Sequence, residues 1–193
     1  IAVVLIGGGY WMYTSRNETA PAPAPTEESG NVEVAGQEIS YFENAKGYFV
    51  KPAAAGSYPG VVMIHENRGL RPEIKKAAED LAKEGYMVLA VDLFEGKVLE
   101  SQDEARAVTS KFSQATGTAN MRAATKYLRD QGATKIASWG WCFGGRQSVA
   151  LAISGEPLDA TVVYYGGGMA STTEPLKPIT GSVMGVFGDK DQA

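Results

Sequence analysis

Five short runs in this chain are apolar almost from end to end: "GVVMIHE" at 60–66, "MVLAVDLF" at 87–94, "KIASWG" at 135–140, "ATVVYYGG" at 160–167 and "GSVMGVFG" at 181–188. An apolar run of this length, with no polar alternation, is the pattern of a strand covered on both faces. Helical stretches lie between the runs. "RPEIKKAAEDLAKEGY" places Ile74, Ala77, Ala78, Leu81 and Ala82 on one face, and Gly85 ends it. Two more helical stretches run from Gln102 to about Phe112 and from Ala119 to Arg129, and another from Gly145 to Ile153. "EISYFENA" and "GYFVKP" read as short strands around a turn ahead of this alternation. Strands that alternate with helices, with both sheet faces covered, predict an α/β fold with a mostly parallel central sheet flanked by helices.

The folded part is expected at 31–193. Residues 14–30 include "TAPAPAPTEESG", where alternating Ala and Pro with acidic residues cannot build a core and read as an extended, semi-rigid linker. Before it, 1–13 ("IAVVLIGGGYWMY") is apolar and uncharged, with Tyr10, Trp11 and Tyr13 placed like an interfacial aromatic belt. This segment reads as the tail of a signal peptide or a membrane anchor. It predicts an exported, periplasmic or otherwise extracytoplasmic protein, tethered to a membrane if the segment is retained. The alternative for 1–13 is a buried N-terminal strand. The chain starts inside an apolar run and stops at Ala193 in a polar loop, so both ends read as cut. "NET" at 17–19 matches a glycosylation sequon, a three-residue pattern of low specificity.

Composition excludes several classes. Net charge is −4 and no basic stripe appears, so no nucleic-acid partner is expected. The single cysteine excludes an internal disulfide, and one Cys with one His argues against a Cys/His metal site. No cofactor and no metal are expected. No exposed apolar helix face stands out, which predicts a monomer.

That single cysteine, Cys142, sits in "GWCFGG" between a strand and a helix. Gly140, Cys142 and Gly144 form a G-x-C-x-G pattern. In a nucleophile elbow the central residue takes a strained backbone conformation. Small residues two before and two after keep the incoming strand clear of the outgoing helix. The thiol would then stand at a helix N-terminus, whose dipole favours a thiolate. The N–H of Phe143 would point to where an oxyanion forms. The bland alternative is an inert buried thiol beside a glycine turn. Ser138, within the strand, and Ser148, inside the helix, are weaker candidates for the nucleophile.

A second oxyanion donor belongs in the loop after an earlier strand, here "MIHENRGL" at 63–70. Glu66 in that loop is either a solvated acid paired with Arg68 or a group that hydrogen-bonds the thiol. In "VFGDKDQ", Asp189 and Asp191 follow a strand that reads as buried and a glycine, where an orienting acid belongs. Nucleophile, acid, histidine is the expected chain order, which puts the histidine after Ala193. His65 lies next to Glu66. Strand neighbours face opposite ways, so with Glu66 towards the site His65 reads as structural.

"HENRGL", "GWCFGG" and "GDKD", in this order, together with "YMVLAVDLFEG" at 86–96, make the chain resemble the dienelactone hydrolase (carboxymethylenebutenolidase-like) family of α/β-hydrolases. The resemblance covers about 31–193. It implies an α/β-hydrolase fold whose last strand and helix are missing here. It also implies Cys142 as nucleophile, Asp191 as the acid that orients a histidine, and Glu66 as the glutamate that interacts with the thiol. Asn67 and Phe143 would supply the backbone N–H groups of the oxyanion hole. The family's histidine has no counterpart in these residues, so the chain as given is expected to be inactive. Arg68 and Arg146 are not assigned as substrate-carboxylate binders.

The reading that follows is an ester or lactone hydrolase acting on a small molecule through a Cys142 acyl-enzyme. A hydrolase-shaped binding module without chemistry, tethered to a membrane, is the alternative. A cysteine redox sensor ranks last, because no resolving cysteine is present.

Overall fold

The computed structural model describes residues 3–5, 32–168 and 172–191. Eight strands form one sheet among them. They are β1 (Val3–Leu5), β2 (Val34–Phe42), β3 (Ala45–Pro52), β4 (Gly60–Ile64), β5 (Met87–Val91), β6 (Ile136–Trp141), β7 (Ala160–Tyr164) and β8 (Ser182–Val186). The spatial order is β1-β8-β7-β6-β4-β5-β3-β2. From β5 through β4, β6 and β7 to β8 the strands run parallel, while β3 and β2 extend one edge antiparallel. At the other edge Val3–Leu5, inside the segment read as a leader or anchor, lies antiparallel along β8. The rest of 1–13 and all of the linker at 14–30 fall outside the described residues. No helix among the described residues is long and apolar enough to cross a membrane.

Among the described residues four α-helices connect the strands, α1 (Pro72–Lys83), α2 (Gln102–Thr109), α3 (Gln114–Asp130) and α4 (Phe143–Ile153), and a short 3-10 helix (Glu174–Leu176) lies between β7 and β8. Local chemistry sets their ends. In α1, Pro72 takes a first-turn position where its missing N–H costs nothing, and Gly85 ends the helix at φ +90°. α2 opens with a capping box between Ser101 and Glu104. α3 begins at Gln114, five residues ahead of the expected Ala119, because Ser113 caps it by accepting the Thr116 N–H. The helix runs through Gly117, where an added Cβ would strike the Phe112 ring at 2.2 Å.

The core has two sides. On one face, side chains of β4 and β5 such as Val62, Ile64 and Leu89 pack with Ala105, Met121, Leu128 and Leu151 from α2, α3 and α4. On the other, Val61, Met63, Val88 and Ala90 pack with Ala78 and Ala82 of α1. Every residue of β4 and β5 is buried, as their unbroken apolar runs require. The outer strands differ from expectation. β6 and β7 alternate buried and half-buried residues, and β8, expected to be buried, alternates exposed and half-buried ones. α1 packs on β3 and β5, so the matching face of β6, β7 and β8 has no helix over it among the described residues.

Candidate active site at the carboxyl edge of the sheet

The parallel strands all end on one edge. Glu66 follows β4, Cys142 follows β6, Tyr165 follows β7 and Asp191 follows β8. Neighbouring strands lie about 4.8 Å apart, so the order β4-β6-β7-β8 sets the ends of these strands side by side along the edge where open α/β sheets bind ligands.

Cys142 is the N-cap of α4, exposed, with φ +53° and ψ −115°. A residue other than glycine at this backbone position stores about 1–3 kcal/mol of strain, which the surrounding structure must hold. The fixing contacts are visible. The Cys142 N–H donates to the Tyr164 carbonyl at 2.9 Å, and the Cys142 carbonyl accepts the Arg146 N–H at 3.1 Å. Gly140 and Gly144 are required by space. A Cβ on Gly140 would stand 2.2 Å from the Gly144 carbonyl oxygen, and one on Gly144 would stand 2.3 Å from the Ile64 carbonyl oxygen. The strand-to-helix corner therefore closes on itself and on the end of β4. That second closure brings the 65–67 loop against the start of α4. Phe143, as the first residue of α4, has no carbonyl one turn earlier in the helix to receive its N–H. Asn67 lies half-buried in the facing loop.

His65 is fully buried. Its Nδ1–H donates to the Glu66 carbonyl at 2.6 Å, and its Nε2 accepts the Leu93 N–H at 3.1 Å. Burial holds its pKa below the ordinary 6.5. Phe94 meets the ring edge-on at 4.8 Å between centroids, and Phe143 stacks on it at 6.2 Å. Both nitrogens are occupied inside the core, so the imidazole has no path to the Cys142 thiol. β4 ends at Ile64, before His65, so the hydrogen bonds rather than strand alternation turn His65 inward.

Glu66 is half-buried and accepts a hydrogen bond from the Tyr165 hydroxyl at 3.3 Å. The pKa of Tyr165 is raised first by burial, then by the charge of Glu66 and the hydrogen bond to it, and further by Cys142. Its hydroxyl thus sits in the field of both site residues. Tyr165 was not singled out from the sequence. The signal was available, since "YYGG" ends a strand immediately beside the elbow strand, but pattern alone does not say which tyrosine turns to the site.

Asp191 is exposed, in a turn where its N–H donates to the Gly188 carbonyl at 3.1 Å; Asp189 is exposed in the same turn. Arg68 is committed elsewhere, its Nη1 donating to the Glu100 carbonyl at 2.7 Å. Arg146 stands 5.7 Å from the Phe143 ring centroid. Ser138 and Ser148 are fully buried and bonded to each other at 2.7 Å. No group of three His, Cys, Asp or Glu side chains that could hold a metal ion occurs among the described residues.

This arrangement has known counterparts. The family model described as "Dienelactone hydrolase family" matches residues 45–193. The chain belongs to that family. A relative from Synechocystis named "Putative carboxymethylenebutenolidase" is 31% identical over 156 residues, covering 73% of this chain and 63% of its own length. A like-named relative from Saccharolobus solfataricus is 29% identical over 170 residues, covering 68% of this chain and 65% of its own length. The chain thus spans less than two thirds of the length of these curated relatives. A solved dienelactone hydrolase-like promiscuous phosphotriesterase from metagenomic libraries superposes with a TM-score of 0.73 at 27% identity, covering 82% of this chain and 70% of the other. The structure named m3DLH gives the same TM-score at 28% identity, over 84% of this chain and 71% of the other. The sheet and its flanking helices are those of the α/β-hydrolase fold that these neighbours share.

Proposed function

We propose that this member of the dienelactone hydrolase family carries the nucleophile-bearing part of an ester or lactone hydrolase, with Cys142 as the attacking group. The observation that carries the reading is the strained, exposed Cys142 at the N-cap of α4, held by glycine contacts that leave no room for other residues. A thiolate there attacks the substrate carbonyl carbon. The oxygen gains the negative charge and is received by the N–H groups of Phe143 and Asn67. Collapse breaks the ester C–O bond and leaves a thioester on Cys142, and the alkoxide takes a proton. Water then hydrolyses the thioester and returns the thiol.

The proton carrier in this scheme is not His65, whose two nitrogens are bonded in the core. The family pattern supplies a later histidine, which Asp191 would orient, and the reading takes it from sequence following Ala193. On this reading the 193 residues alone do not turn over. The burial of the only histidine also favours a second reading, a binding module that keeps the hydrolase shape without the chemistry.

The test uses protein carrying the whole family domain, incubated with p-nitrophenyl acetate and followed by intact mass. The expected result is an acetyl adduct on Cys142 that forms and decays, and loss of ester hydrolysis by at least about a thousandfold in Cys142→Ala. Unchanged turnover in Cys142→Ala would overturn the nucleophile. A folded domain that contains its histidine yet forms no adduct would favour the binding module.

A further inference from the structure

We infer that His65, although sealed away from the thiol, is a positioning residue for the oxyanion hole: its ring holds the Glu66–Asn67 peptide so that the Asn67 N–H is turned out of the core. This role rests on the reading of Asn67 and Phe143 as the oxyanion donors and adds a residue behind them. The His65 Nδ1–H donates to the Glu66 carbonyl at 2.6 Å. That carbonyl and the Asn67 N–H belong to one peptide unit. The unit is planar and trans, since no cis peptide bond occurs among the described residues, so its C=O and N–H point in opposite directions. A buried ring that draws the carbonyl inward therefore turns the N–H outward. The Gly69 N–H is directed at the same carbonyl at 3.4 Å, which closes a tight turn around Asn67. Asn67 is half-buried, and its own N–H has no hydrogen-bond partner among the described residues. It is a donor held in place and left free.

The ring is itself fixed from other sides. Its Nε2 accepts the Leu93 N–H at 3.1 Å, and Phe94 and Phe143 lie against its edge and face. A carbonyl only accepts and a backbone N–H only donates, so the two bonds admit one state, the neutral ring with its proton on Nδ1. The stacked ring of Phe143 belongs to the residue whose N–H opens α4. One imidazole thus touches the residues on both sides of the hole. A hydrogen bond to the Glu66 carbonyl also polarises the peptide and makes its N–H a better donor. Packing alone does not ask for this residue. An apolar side chain would fill the space between Phe94 and Phe143 without carrying two polar nitrogens into the core.

The experiment compares the native sequence with His65→Gln and His65→Asn in protein carrying the whole family domain. The glutamine amide reaches the place of Nε2 and keeps an acceptor for Leu93, but loses the donor to Glu66. The asparagine amide reaches the place of Nδ1 and keeps that donor. Hydrolysis of p-nitrophenyl acetate is read beside alkylation of Cys142 by iodoacetamide, which is attacked at a saturated carbon and builds no oxyanion. His65→Gln is expected to lower kcat/KM for the ester about ten- to hundredfold, less than the loss of a whole oxyanion donor, and to leave alkylation within about twofold of native. His65→Asn is expected to recover kcat/KM to within about fivefold of native. Native ester turnover in His65→Gln overturns the inference and leaves the reading of Cys142 standing. So does an equal slowing of hydrolysis and alkylation, and so does a His65→Asn no faster than His65→Gln. A second measurement needs no variant: NMR of the ring nitrogens at neutral pH in the 193-residue chain, where His65 is the only histidine. A proton on Nδ1 is expected, and a proton on Nε2 overturns the inference. A native domain that neither hydrolyses the ester nor forms the acetyl adduct overturns the reading of Cys142 together with the inference.

Discussion

Cys142 and His65 show how differently two chemically similar sequence positions are used. Each is the only residue of its type in the chain, and each follows a strand at the same edge of the sheet. The thiol faces solvent at a helix start. The imidazole is sealed below it between Phe94 and Phe143, neutral, as a link between the β4 and β5 ends. The lowered pKa of His65 carries a stability prediction. Above its ordinary value of 6.5 the ring is neutral in both folded and unfolded chains, and no pH dependence arises. As pH falls below that value, the unfolded chain takes up a proton that the folded chain refuses. Stability therefore drops, by up to about 1.4 kcal/mol per pH unit, until the folded-state pKa is reached. Denaturant titrations at about pH 7.5, 6.5 and 5.5 test this window. It lies above the ordinary values, 4.5, 3.8 and 4.5, of the lowered carboxyls of Glu38, Asp80 and Glu104. A His65→Gln variant should flatten the slope, and a native protein equally stable across the window would contradict the buried neutral ring.

At the scale of single elements, helix ends carry much of the information that sequence patterns miss. Ser113 moves the start of α3 five residues ahead of the expected Ala119. Ser101 fixes the start of α2 by a reciprocal pair of bonds, its hydroxyl accepting the Glu104 N–H at 3.2 Å while Glu104 Oε2 accepts the Ser101 N–H at 3.2 Å. The helix has only eight residues, too few to be stable without its cap and its packing. Ser101→Ala should lower stability by about 1 kcal/mol, read as a shift in denaturation midpoint with unchanged slope. A shift within error would mean that the packing of Ala105 alone holds α2. α4 needs no such side-chain cap; its N-cap is Cys142, with no side-chain cap bond, which leaves the sulfur uncommitted within the helix.

Across the whole molecule, one buried polar junction ties the antiparallel edge to the parallel body. Tyr41 of β2 donates its hydroxyl to Asn120 Oδ1 at 2.6 Å, and Asn120 Nδ2 of α3 donates to the Asp92 carbonyl at 2.9 Å. Asp92, after β5, returns a backbone N–H to the Tyr41 hydroxyl at 3.1 Å. Burial, opposed by the bonds to Asp92 and Asn120, pushes the Tyr41 pKa strongly upward, so the hydroxyl remains a donor throughout the working pH range. Asn120→Ala removes an acceptor from Tyr41 and a donor from Asp92 at once. The expected cost is about 2–3 kcal/mol, measured by equilibrium unfolding. Tyr41→Phe alone should cost less, and the double variant little more than Asn120→Ala. Additive losses would mean that the three residues do not act as one junction.

The apolar runs of β4 and β5 and the glycine spacing around Cys142 were enough to determine an α/β sheet with a tight strand-to-helix corner at Cys142, because burial on both faces and close backbone approach each demand particular residues. The motifs "HENRGL", "GWCFGG" and "GDKD" were enough to indicate the family. The exposure of β8 was not legible, because an apolar strand reads the same whether or not a helix covers its outer face. The structural role of His65 was legible from its place beside Glu66, but its partners were not, because the Leu93 N–H that its ring accepts lies 28 residues away. The meeting of Tyr165 with Glu66 belongs to the same class. It exists only because β6 lies between β4 and β7 in the sheet, and strand order is a property of the packed molecule that no local pattern encodes.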